Sequence, residues 1–111
     1  MSTLFEVPTV AKRSYEAFFV FVNFRRTDGN GWLAADEAIT GTPSVTVREK
    51  STQTDVSSDM VDNVSAQDST IAKHRIKGGT AGKTYVVSVK IETDKTQKFE
   101  FKYELKVNDK P

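Results

Sequence analysis

His74 is the only histidine in the chain, and there is no cysteine. Imidazole and thiolate are the usual general bases, nucleophiles and transition-metal ligands, so these two facts narrow the chemistry at once. His74 alternates with Ala72 and Ile76 in the segment IAKHRIK, which points its ring inward or toward a sheet edge. A metal centre there would need carboxylates at ligand spacing on the same segment, and none is present. A histidine relay would need a positioned serine, and no serine stands in a G-x-S-x-G elbow. These residues give His74 a structural role.

Three other constellations invite chemistry and fail on their own spacing. Asp28-Gly29-Asn30-Gly31 has the residue types of a calcium loop, but Trp32 occupies the next ligand position and no glutamate closes the loop. A turn is expected instead. The stretch GGTAGKT at 78–84 ends as a nucleotide-binding phosphate loop does, yet Lys77 stands where the first glycine of that motif belongs. The strand-like YVVSVKI follows it, whereas phosphate is held by amides at the start of a helix. A tight inter-strand loop is the reading. Asp36 and Glu37 are adjacent, so on a helical turn their carboxylates diverge rather than pair. No catalytic residue, metal ligand, cofactor or small-molecule substrate is expected.

The elements that would position these residues read as strands. In KFEFKYELKV, at 98–107, Phe99, Phe101, Tyr103, Leu105 and Val107 share one face and charged residues the other. A helix, turning 100° per residue, would scatter those five side chains. Tyr85, Val87, Val89 and Ile91 alternate in the same way, and the link between the two segments suits a hairpin. SVTVR at 44–48 puts Val45 and Val47 on one face. YEAFFVFVNF at 15–24 is apolar on both faces, which suits a central strand or one whose outer face a partner covers. The polar segment 49–70 is too long for a structureless loop, so a short strand near Val56 or Val61 to Val64 is expected inside it. Trp32 and Leu33 are read as a plug at one end of the core, and residues 34–38 as one helical turn.

Strands with one apolar and one charged face need a second sheet against them. The reading is all-β: an immunoglobulin-like antiparallel β-sandwich of six to seven short strands, with a small barrel as the alternative. Residues 1–13, with Pro8, form an extended N-terminal arm, and 14–111 form the sandwich domain with its long polar segment at 49–70. Leu4, Phe5 and Val7 are candidate arm contacts on a neighbour's sheet edge or on the chain's own domain. The basic loop pair Arg25 and Arg26 completes the candidate interface.

Composition bounds the partners. The 111 residues fit a single domain, large enough to fold without disulfides. Sixteen basic and fifteen acidic side chains leave a formal charge of +1, too little to steer the chain to nucleic acid or an anionic membrane. The longest apolar run, 17–22, is far short of the roughly 20 residues of a membrane span. No basic n-region with an apolar core opens the sequence, so the protein is expected to stay where it is made.

Two segments carry a resemblance. Gly78-Gly79-Thr80-Ala81-Gly82-Lys83-Thr84-Tyr85 followed by VVSVKIETDKTQKFEFKYELKV is similar to the C-terminal half of small virion proteins of tailed phages and prophages, of the tail, neck or fibre–tail adaptor type. The stretch Trp32-Leu33-Ala34-Ala35-Asp36-Glu37-Ala38-Ile39 resembles their W-L-x-x-x-E-x-I segment, and Asn23 stands where their aromatic strand carries an aspartate. The resemblance spans 8–109. It implies an immunoglobulin-like fold and a non-enzymatic structural or adaptor role through protein–protein contacts with other virion proteins or copies of itself. It also implies assembly in the host cytoplasm and residence in the virion. The alternative is an immunoglobulin-like carbohydrate-binding or adhesion module, which would display a planar row of aromatics.

Overall fold

Period-two alternation carries over directly into the structure, a computed structural model that describes residues 8–24, 33 and 37–109. Among the described residues there are seven strands and one short helix: β1 (Thr9–Lys12), β2 (Phe18–Asn23), β3 (Ile39–Glu49), α1 (Ser57–Met60), β4 (Val61–Gln67), β5 (Ile71–Ile76), β6 (Thr84–Thr93) and β7 (Lys98–Val107). They form two sheets, ordered β1-β7-β6-β3 and β2-β5-β4. With β2 to β7 lettered B to G, the sheets oppose B-E-D to C-F-G, the order of an immunoglobulin sandwich. The two sheets are separate, so the barrel alternative falls.

One pairing departs from the expected antiparallel pattern. β1 runs parallel to β7, with Thr9 opposite Glu104 and Lys12 opposite Val107. The chain enters beside β7: the Glu104 N–H donates to the Pro8 carbonyl at 2.8 Å and the Asn108 N–H to the Lys12 carbonyl at 2.9 Å. A proline immediately before the strand costs no ladder bond there.

The core lies between the sheets. β6 contributes Tyr85, Val87, Val89 and Ile91 and β7 contributes Tyr103, Leu105 and Val107, all buried. Phe99 and Phe101, on the same face of β7, are half-buried and pack against this core. β3 adds Ile39, Val45 and Val47, and β5 adds Ala72, His74 and Ile76. β3 is longer than the SVTVR segment suggested. Its register slips between Thr40 and Ser44, where Gly41 takes φ +67° and Pro43 follows, so the alternation breaks although the strand continues.

The polar segment is ordered. Asp55 bridges back to Arg48, and the Val56 N–H donates to the Val47 carbonyl. The Val47 N–H donates to Ser57 Oγ at 2.8 Å, which ties the start of α1 to β3. Met60 then inserts into the core and β4 follows, the strand expected in this region. Only Val61, Val64 and Ala66 of β4 are apolar, so its burial pattern is weak.

Candidate functional site

The aromatic strand β2 is not central. It lies at the edge of the three-stranded sheet, paired only with β5 among the described residues. Val22 packs into the core, with Phe18 and Val20 half-buried on the same face. Phe19 and Phe21 point the other way and are 42% and 53% exposed. Of the two expectations for a strand apolar on both faces, the central position is thus corrected. The strand is at an edge with its outer aromatic face open.

The register places the neighbours of that face. Phe19 lies opposite Arg75 and Phe21 opposite Lys73 on β5; Asp62 and Ser65 of β4 continue the two rows. Residues directly opposite across a sheet share a face and touch. Lys73 Nζ accordingly sits 4.5 Å from the Phe19 ring centroid and 5.8 Å from that of Phe21, a cation–π arrangement over both rings. Arg75 donates to both oxygens of Asp62, at 2.8 and 2.6 Å, and Lys77 reaches the same carboxylate at 3.2 Å. This pairing, led by the Arg75 hydrogen bonds, holds the Asp62 carboxyl down at about 2. The same bonds push the Arg75 guanidinium higher. Lys73 has no carboxylate partner among the described residues.

His74 points the opposite way, into the core, in line with Ala72 and Ile76 as the alternation predicted. Its Nε2 pairs with the Tyr103 hydroxyl. Among the described residues no group of three or more His, Asp or Glu side chains could hold a metal ion.

The GGTAGKT stretch is the connection between β5 and β6. Gly78, Gly79 and Gly82 take φ of +63°, +95° and +88°, the left-handed backbone that only glycine adopts without strain. Three of its amides bond within the fold. Thr80 N–H donates to the Tyr85 hydroxyl, Gly82 N–H to the Val107 carbonyl and Lys83 N–H to the Thr80 carbonyl. Lys83 Nζ is bound to Glu49 Oε1 at 2.5 Å. Three of the loop's amides and its one ammonium are therefore already engaged by protein acceptors, and no helix follows to present further amides. The buried Lys12 adds a further tie, donating to the Gly78 carbonyl at 2.5 Å and the Arg13 carbonyl at 2.7 Å.

A shallow open groove of about 400 Å³ lies on the other sheet, where the β3 bulge stands away from β6 and β7. Thr40, Thr42 and Ser44 line one side and Lys90, Phe99 and Glu100 the other. Its charges are of both signs and its hydroxyls are open to solvent, so it offers no single ligand chemistry.

Leu4, Phe5, Val7, Arg25 and Arg26 lie outside the described residues, as do Trp32 and residues 34–36. Leu33 is buried, and its N–H donates to the Phe24 carbonyl. Sequence reasoning missed Lys73. The signal was there, since Lys73 sits between inward-facing Ala72 and His74, but its proximity to β2 depends on a pairing between segments about 50 residues apart.

Comparison with known families gives a match over most of the chain. The family described as "Podophage GP4 fiber-tail adaptor protein gp77" matches residues 24–106, well over half of the chain. The matched region begins just after β2 and runs through almost all of β7. No curated protein matches the chain, and no solved structure does.

Proposed function

This chain belongs to the podophage fiber-tail adaptor family typified by gp77, and on that premise we propose that it joins virion proteins at the tail by surface contact, without catalysing a reaction. Its partners on this reading are a tail component on one side and a fibre on the other, or further copies of itself arranged around the tail. Assembly takes place in the host cytoplasm, and nucleic acid plays no part. Leu4, Phe5, Val7, Arg25 and Arg26 are candidate contacts in that joint.

The observation that supports contact over chemistry is the distribution of polar groups. Buried His74 and Lys12 bond to the scaffold, and Lys83 of the glycine loop is paired to Glu49. What lies open is an aromatic sheet face. Exposed apolar side chains in contiguous positions mark interaction sites.

The test is genetic and structural. Disrupting the gene should give particles with filled heads and tails but no attached fibres when imaged by electron microscopy, and adding the purified protein should restore them. Fibre-bearing, infectious particles made without the protein would overturn the reading.

A further inference from the structure

We propose that the outer face of β2 and β5, centred on Phe19, Phe21 and Lys73, docks another virion protein that presents a carboxylate flanked by apolar side chains. The inference rests on the adaptor reading and names the chemistry of one partner.

The aromatic half of the argument is positional. Phe19 and Phe21 are two residues apart on one strand, so their rings stand side by side on the outer face about 7 Å apart. Neither ring serves the core, to which β2 contributes the alternate residues Val20 and Val22. Adjacent phenylalanines at 42% and 53% exposure form a ready contact patch rather than a packing requirement.

The electrostatic half selects the partner. Three cations, Lys73, Arg75 and Lys77, border this patch, while the register supplies one carboxylate, Asp62. Arg75 and Lys77 share that carboxylate. Lys73 is left with the two ring faces, which hold its ammonium in place over the patch. A partner carboxylate reaching Lys73 would be flanked by the two rings, so its neighbours must be apolar. Covering rings shield the ion pair from water and from salt.

A second copy fits poorly. A face-to-face pair uses the same patch on both sides. It would bring Lys73 against a face whose one carboxylate is already engaged by two cations. The surplus positive charge therefore favours an acidic partner over self-association.

The experiment uses particles from the phage with this gene deleted, mixed with the purified protein, sedimented, and assayed by mass spectrometry for bound protein. Wild-type protein should load, and loading should fall as sodium chloride is raised. Lys73→Glu and the Phe19→Ser/Phe21→Ser pair should each lower loading about tenfold or more, while Lys73→Arg retains most of it. Thermal melts should remain close to wild type, because all three side chains are on the surface. A photo-crosslinking p-benzoylphenylalanine at position 21 should capture a virion protein through a peptide containing Asp or Glu. Wild-type loading by Lys73→Glu and by the phenylalanine pair would overturn the docking surface and leave the adaptor reading intact. A crosslink to a second copy, or back to this chain's own residues 1–7, would also overturn it. Failure of the wild-type protein to load or to occur in virions would overturn the adaptor reading and the inference with it.

Discussion

His74 Nε2 lies 2.7 Å from the Tyr103 hydroxyl, the two rings stacked at 25° across the interface between the sheets. β5 of one sheet and β7 of the other thus share a polar contact between the two layers. It is incompletely satisfied, because His74 Nδ1 has no partner. Whichever nitrogen carries the proton, one polar ring atom is buried without a bond, and a second proton would add an unpaired buried charge.

Acid should therefore weaken the fold through this residue first. Burial lowers the His74 pKa to about 4, against about 6.5 in an unfolded chain. The folded state favours the neutral ring, so its contribution is complete above pH 6.5 and is lost as pH falls from 6.5 toward 4. The slope in that window is about 1.4 kcal/mol per pH unit. Urea midpoints at pH 7 and pH 4.5 should differ accordingly. His74→Leu should flatten this dependence while costing about 1–3 kcal/mol at pH 7 through the unpaired Tyr103 hydroxyl. Pairing it with Tyr103→Phe should recover part of that loss. An unchanged pH slope in His74→Leu would remove His74 as its source. Asp62 acts in a separate range: its carboxyl, held near 2, contributes above the ordinary carboxylate range and loses that contribution as pH falls through about 2.

The shared face of Ala72, His74 and Ile76 was legible from their alternation with Lys73 and Arg75, which left His74 either inward or at a sheet edge; the structure places it inward. β6 and β7 were legible for the same reason, since ten-residue alternation admits one register against a core. The parallel entry of β1 was not, because four residues, of which Val10 and Lys12 turn inward, carry no sign of strand direction. β3 was read short because its Gly41–Pro43 bulge erases the period locally. The aromatic face of β2 was visible as a two-faced strand, but centre and edge differ only in which distant segments pair with it, and local pattern holds no such information. Lys73 was hidden for the same reason, as its contact with Phe19 and Phe21 exists only once β5 lies beside β2.

The glycine loop separates two costs that glycine avoids. At Gly79, with φ +95°, an added Cβ would lie 2.9 Å from Val107 Cγ2 and 3.0 Å from Met60 Cε. At Gly82, with φ +88°, nothing stands within 4 Å. Gly82→Ala should then cost only backbone strain, about 1–2 kcal/mol. Gly79→Ala adds overpacking against two buried side chains and should cost about 2–4 kcal/mol. Chemical denaturation of the two variants reads the difference. Equal losses would mean that the contact with Val107 and Met60 relaxes freely. A Gly79→Ala/Met60→Ala double mutant should relieve part of the clash, although it opens space in the core.

Thr93 organises the turn between β6 and β7 and anchors it to the segment that leads into β3. Its hydroxyl donates to Glu37 Oε2 at 2.5 Å, with both residues buried. The same oxygen accepts the Lys95 N–H at 3.3 Å and the Gln97 N–H at 3.2 Å. One hydroxyl thus serves as donor to a buried carboxylate and acceptor for two turn amides. Asp94 continues the tie: its N–H donates to the Ala38 carbonyl, and its carboxylate accepts the Ala38 N–H at 3.1 Å. Thr93→Val keeps the shape and removes every one of the hydroxyl's bonds, which should cost about 2–3 kcal/mol, with much of the loss coming from the buried Glu37 oxygen. Thr93→Ser keeps the hydroxyl and loses one methyl group, so its cost should stay near 1 kcal/mol. Amide exchange at Lys95 and Gln97 should quicken in Thr93→Val and remain slow in Thr93→Ser. If the two variants melt together and exchange alike, the methyl group rather than the hydroxyl holds this turn.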